Sequence, residues 1–138
     1  MQLRLVEIPG IEAQHQTVWR VRVLEIDRRN LVLGNLLQWS KNSISDYKKI
    51  MKVLRMIGQM DRIRDEKKVK KSSNPDHGDI YEIRADKDSA RLMFFYDRRE
   101  QSVIVCTNTY WKAKASQSEQ DAAFALCNRL KQIYENNQ

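Results

Sequence analysis

Residues 80–111 read IYEIRADKDSARLMFFYDRREQSVIVCTNTYW, and three strand-like runs inside this stretch decide the fold. Ile80 to Arg84 alternates in polarity, Arg91 to Tyr96 is dense in Met and Phe, and Val103 to Tyr110 is rich in β-branched residues. These are the compositions that suit a pleated, half-buried or buried ladder. Asp86 to Ser89 and Asp97 to Gln101 are short polar connections, so consecutive strands are expected to pair antiparallel as a meander. In a meander the end of one strand lies beside the start of the next. Arg84 and Arg91 are therefore expected near one edge of the sheet. The third strand should return Tyr110, Trp111, Lys112 and Lys114 to that same edge.

Working outward, the two segments before this stretch carry a different period. Leu31, Leu33, Leu36 and Leu37 fit one helical stripe that ends near Ser40. Ser43 with Asp46 three residues later resembles a capping box, with Asp in place of Glu. Behind it Ile44, Tyr47, Ile50, Met51, Leu54, Ile57 and Met60 recur at spacings of three and four. Lys41 and Asn42 join the two, which predicts a helical hairpin. Further upstream, Val21 and Val23 alternate with Arg20 and Arg22, while Leu3 to Ile8 is a short apolar run stopped by Pro9 and Gly10. The opening is expected to be extended, as a strand or hairpin. After Ser116 the chain turns helical again, with Ala122, Ala123, Leu126, Leu130, Ile133 and Tyr134 marking an apolar side. The expected fold is α+β: a small antiparallel sheet packed on one side by an N-terminal helical hairpin and a C-terminal helix. Residues 1–138 are expected to form a single domain, with residues 1–16 as an N-terminal extension or extra strand.

The composition fits one compact domain: 138 residues with 41% hydrophobic and 31% charged side chains, and only four Gly and two Pro. That leaves no room for a long flexible linker or low-complexity tail. Twenty-five Lys and Arg against 18 Asp and Glu give a net charge of +7, which favours a polyanionic partner. Cys106 and Cys127 lie in apolar surroundings without CxxC spacing, so buried reduced thiols are expected. The two histidines, His15 and His77, sit in polar segments and are expected at the surface. No P-loop, GxGxxG, HExxH or EF-hand pattern occurs, and no cofactor or metal is expected. The amino terminus lacks the pattern of a signal peptide, and no apolar run approaches the roughly 20 residues that cross a bilayer. A cytoplasmic protein without a membrane partner is the expectation.

The chemistry-bearing feature is the set of cations and aromatics gathered by the meander. Arg and Lys hold phosphates, and Tyr or Trp stacks unpaired bases, a combination that suits RNA. Attack of a ribose 2′-hydroxyl on the adjacent phosphate needs orientation, charge stabilisation and proton transfer rather than a metal. The bland alternative is a set of solvated charges flanking a sheet, with the aromatics packed in the core. Carboxylate partners sealing these side chains would remove them from contact with a phosphate. The basic run containing Lys67, Lys68, Lys70 and Lys71 reads equally as an RNA anchor and as a solvated linker.

The segment from His77 to Lys114, with HGDIYEIR, ARLMFFYDRREQSVIVC and TYWKAKA, resembles the RelE/ParE toxin superfamily, and within it the phage-derived HigB-like (Gp49-like) branch. The helical hairpin before it and the helix after it agree, so the resemblance spans roughly residues 18–134. It implies a RelE-like fold and a toxin of a type II toxin-antitoxin pair acting as a ribosome-dependent mRNA interferase. Arg84 and Arg91 match the arginines that contact the scissile phosphate, Lys112 and Lys114 the basic cluster after the last strand, and Tyr110 or Trp111 the aromatic before it. The implied partners are a helix-turn-helix antitoxin of the HigA-like kind, the ribosome and mRNA. Relatives carry adjacent lysines, whereas Ala113 separates Lys112 from Lys114, and no tyrosine matches the catalytic tyrosine of the last segment. Two alternatives share the scaffold: a ParE-like toxin that inhibits gyrase without cutting RNA, and a non-catalytic phage accessory or interaction protein.

Overall fold

The computed structural model describes residues 1–63, 65–86, 89–99, 102–112 and 117–137. Strands β1 (Leu3–Glu7), β2 (Arg20–Ile26) and β3 (Arg29–Asn30) precede helices α1 (Leu33–Asn42) and α2 (Ile44–Gln59). Strands β4 (Val69–Lys71), β5 (Ile80–Arg84), β6 (Ala90–Asp97) and β7 (Val103–Trp111) then lead into helix α3 (Gln117–Asn136). All the strands join one seven-stranded sheet in the order β1-β2-β7-β6-β5-β4, with β3 paired to β2. The fold is mixed α and β, and β5, β6 and β7 form the antiparallel meander expected of residues 80–111.

Three features depart from the sequence reading. The sheet is larger than expected and mixed rather than wholly antiparallel, because β7 runs parallel to β2 over Arg20↔Val103 to Val23↔Cys106. Val21, Val23, Ile104, Val105 and Cys106 are all fully buried there, as parallel pairs covered on both faces require. Next, the helices do not share one side. Ile50, Leu54 and Ile57 of α2 and Leu36 and Trp39 of α1 pack with Leu92, Phe94 and Ile104, whereas Ala123, Phe124, Cys127 and Leu130 of α3 pack with Met93, Phe95 and Val105 on the opposite face. Strand β6 is therefore buried from both directions, which is why its sequence is a continuous apolar run. Finally, β4 adds an edge strand within the basic segment, paired Val69↔Ile83, Lys70↔Glu82 and Lys71↔Tyr81. Residues 3–7 of the N-terminal segment form a strand of the sheet, β1, paired antiparallel to β2.

Local chemistry sets the helix boundaries. Asn30 Oδ1 accepts from Val32 N at 2.9 Å and Leu33 N at 3.0 Å, satisfying amides that the start of α1 leaves open. The Ser43 side chain makes no capping bond to α2. The capping box fails because Asp46 Oδ2 instead accepts from Ala90 N at 3.3 Å, tying α2 to the start of β6. At the far end of α2, Gly58 O accepts from both Val18 N and Trp19 N. A Cβ on Gly58 would lie 2.0 Å from His15 O, so only glycine permits this approach. The apolar stripes are also rotated: Leu31, Leu37 and Ile44 are exposed, and in α3 it is Phe124 and Cys127, rather than Ala122 and Leu126, that are buried. Cys106 and Cys127 are free and buried as expected, and burial pushes the Cys127 thiol up to about 12.

Candidate functional site

Antiparallel register places Arg84 opposite Arg91 and Arg91 opposite Tyr110, so the three share one row across β5, β6 and β7. Paired residues project from the same face. Met93 and Phe95 lie on that face, together with α3. A bulge between Met93 and Phe94, where the partners jump from Asn108 to Cys106, sets the parity. Through it Asn108 turns toward α3 and donates Nδ2 to Ala123 O at 3.2 Å, while Cys106 faces the other core.

The expected convergence at this end of the sheet is present, but its interior differs from an open cluster of cations. Glu82, two residues before Arg84, is fully buried and gathers four neighbours. Its Oε2 accepts from Arg84 Nε at 3.0 Å and Gln120 Nε2 at 3.1 Å. Its Oε1 accepts from the Tyr110 hydroxyl and lies 3.8 Å from Arg91 Nε. A buried carboxylate left alone is strongly disfavoured, and this one is stabilised by two guanidiniums and two hydrogen-bond donors. Arg91 is itself 0% exposed, and its Nη1 also donates to Ala90 O at 3.1 Å. As placed it cannot touch a phosphate in solvent. The expected phosphate contact at Arg91 is therefore not open to solvent; Arg91 is a buried partner of Glu82.

Arg84 keeps 23% of its side chain exposed, and its bond to Glu82 uses one of the five guanidinium donors. Lys112 is half-buried at the same end, where its backbone N–H donates to Ser89 O at 2.9 Å. Lys114 lies outside the described residues. Tyr110 is half-buried; burial first, then its bond to Glu82, raises its phenol well above the ordinary tyrosine value. It is a donor held in the protonated state, not a base. Trp111 sits opposite Ala90 and on the other face, 47% exposed, with its ring meeting that of Trp39 edge-on at 6.4 Å. The two aromatics therefore do not act on one ligand.

The basic run divides as well. Lys68 lies opposite Arg84, whose N–H donates to Lys68 O at 2.8 Å, and Lys67, Lys68 and Arg84 line one open hollow with Ala85 and Asp86. Lys70, opposite Glu82, lines a neighbouring pocket. Lys71 is exposed and bridges to Asp79 at 3.0 Å. The second half of this run, Lys70 and Lys71, is thus an edge strand of the sheet, and Lys67 and Lys68 lie in the turn that leads into it. Both histidines are half-buried, and His77 holds Ser72 and Asn74. Among the described residues, no group of three or more His, Cys, Asp or Glu is placed to hold a metal. None of the described helices is long and apolar enough to cross a membrane.

Sequence reasoning passed over Glu82 and Gln120. The signal for Glu82 was present: a lone carboxylate between Tyr81 and Ile83 in an apolar strand, with arginines two residues along and across, calls for a buried pair. Gln120 carried no such signal, because its role depends on how α3 lies over β5. Comparison of the chain with protein-family models, with curated proteins and with solved structures finds no match.

Proposed function

We propose that the protein is the toxin of a type II toxin-antitoxin pair and acts as a ribosome-dependent mRNA interferase. The observation that carries this reading is the row Arg84–Arg91–Tyr110 with Lys112 beside it, which brings the cations of three strands to one end of the sheet. Arg84 and Lys112 are the groups that meet the scissile phosphate, where charge develops in the pentavalent state. Arg91 and Glu82 act through Arg84, whose guanidinium they orient; they are positioning residues. The exposed Lys67 and Lys71 at and just before the β4 edge and the net charge of +7 add attraction for the ribosome and message. A small antitoxin that covers the Arg84–Lys112 end would neutralise it.

A second reading, a non-catalytic interaction protein on the same scaffold, is favoured by one observation: Glu82 holds both arginines, which leaves one guanidinium only partly open. Induction of the protein alone separates the two. The interferase reading expects growth arrest with new cuts in translated messages, and loss of about 100-fold in cleavage when Arg84 is replaced by Ala, the scale of removing one charge-stabilising donor. Intact messages, or cutting that survives Arg84→Ala together with Lys112→Ala, overturn it. Salt-sensitive RNA binding without cuts leaves the second reading standing.

A further inference from the structure

Beside the arginine row, an open pocket of about 400 Å³ lies between the loop that follows β4 and the first turns of α3. Its volume falls within the range of small-molecule sites and its character is mixed. Phe124, 5% exposed, supplies an apolar surface on the α3 wall beside the buried Gln120, while Ser72 is a buried polar group on the facing loop wall. These groups are held in place. Gln120 gives its Nε2 to Glu82 and accepts from Gln117 Nε2 at 3.0 Å. The His77 ring sits between Ser72 Oγ at 3.0 Å from Nδ1 and Asn74 Nδ2 at 3.3 Å from Nε2. Fixed amide, hydroxyl and imidazole groups around one apolar ring suit a flat heterocycle with polar edges better than an aliphatic ligand.

What lies at the mouth narrows the choice. Lys70 of β4 opens onto the pocket, and Lys68, two residues earlier in the turn that leads into the strand and about 7 Å away along the chain, opens onto the hollow that contains Arg84. Two lysines in file along this edge lead from the arginine to the pocket. Such a track matches a single-stranded polyanion whose unpaired bases are free to turn inward.

We propose that this pocket is a base-binding subsite for single-stranded RNA, taking a nucleobase within one or two nucleotides of the phosphate held at Arg84. The inference rests on the RNA reading given above and adds the element that would confer base preference. Lys68 and Lys70 follow the backbone without reading sequence. Gln120 and Asn74, whose side-chain amides each keep a second hydrogen beyond the bonds to Glu82 and His77, read the edge of the base. His77, with both ring nitrogens engaged, holds Asn74 in place, and Phe124 supports the plane of the base.

The test uses the full chain and fluorescein-labelled hexaribonucleotides of A, C or U, with affinity measured by anisotropy at several salt concentrations. Wild type should separate the three by about tenfold or more. Ala125→Trp fills the pocket from an exposed position on α3, and Ser73→Trp fills it from the opposite wall. Either variant should bring the three affinities within about twofold while the salt slope stays unchanged. Lys70→Ala should instead weaken all three and reduce the salt slope by about one. Equal affinities in wild type, or a preference that survives both fillings, overturn the subsite while leaving RNA binding intact. Absence of binding to any hexamer overturns the RNA reading itself.

Discussion

The two faces of the sheet are buried by different means, and the α1–α2 face holds the larger share of the apolar core. On the α1–α2 face the contact is dry: Ile50, Leu54 and Ile57 meet Leu92, Phe94, Ile104 and Cys106, and Tyr81, Phe94 and Tyr96 pack ring against ring at 5.2 to 5.4 Å. On the α3 face, apolar contacts with Met93, Phe95 and Val105 are bounded at one end by Glu82, Arg91, Asn108 and Gln120, all buried and polar. An apolar face tolerates small slides of a helix, since one methyl can replace another. A buried carboxylate with four assigned neighbours does not, because any slide leaves a charge or donor unsatisfied. The dry face supplies cohesion; the wet one fixes where α3 begins relative to Arg84, and hence the shape of both hollows at that end.

The largest effect should come from removing the centre of the wet face. Glu82→Leu leaves Arg84 and Arg91 facing a buried aliphatic side chain, and breaking one side of a buried pair costs about 3–5 kcal/mol. Adding Arg91→Met removes the fully buried cation too and should recover most of that loss, because a well-packed apolar replacement for a buried ion pair is near neutral. Urea unfolding of the wild type, the single and the double variants measures this. If the double variant is no more stable than Glu82→Leu, the Glu82–Arg91 contact is not what stabilises this face.

This comparison explains what the sequence revealed and what it concealed. Strand β6 was legible because burial on both faces leaves a run, Leu92 to Tyr96, that no surface element would carry. The meander followed from short polar connections, and with it the meeting of Arg84, Arg91 and Tyr110. The parallel pairing of β2 with β7 was not legible, since partners some eighty residues apart leave no local mark of their relative direction. Strand β4 was hidden among lysines, with Val69 its only buried residue. The distribution of Tyr110 and Trp111 to opposite faces follows from strand alternation, but the closure of Arg91 needed Glu82 and α3 together. In the same way, the Ser43 capping box was a sound local pattern that lost to a tertiary partner, Ala90 N–H.

A smaller effect sharpens the account of how the carboxylate is satisfied. Tyr110→Phe removes one hydroxyl donor from Glu82 Oε1 while keeping the ring, so it tests the hydrogen bond apart from packing. Bonds to charged groups contribute about 1.5–3 kcal/mol, and a loss near 2 is expected. The equivalent change on the dry face, Tyr81→Phe, should cost less than about 1 kcal/mol, because its contacts are those of the ring with Phe94 and Tyr96. Equal losses at the two positions would erase the distinction between a wet and a dry face.

The smallest effect expected at a carboxylate concerns the other end of α3, where Tyr134 donates to Asp97 Oδ2 at 2.6 Å. Burial alone would raise the Asp97 carboxyl, but the Tyr134 hydroxyl and the Arg99 backbone and side-chain donors outweigh it and hold the group below its usual range. A carboxylate depressed by folding contributes stability that is present above the unfolded value, about 3.9, and that is lost as the pH falls through the folded value. Tyr134→Phe should therefore cost about 1.5 kcal/mol at pH 7, and the gap from wild type should narrow as the solution is acidified below about pH 4. A gap that holds constant into acid would mean that the hydroxyl contributes independently of the carboxylate's charge, since the ring that packs against Phe95 at 5.5 Å between centres is kept in the variant. A gap that closes means that α3 is fastened by a carboxylate at each end, Glu82 near its start and Asp97 near its finish. The segment that walls the Lys70 pocket is then held in register by charge as well as by its apolar side.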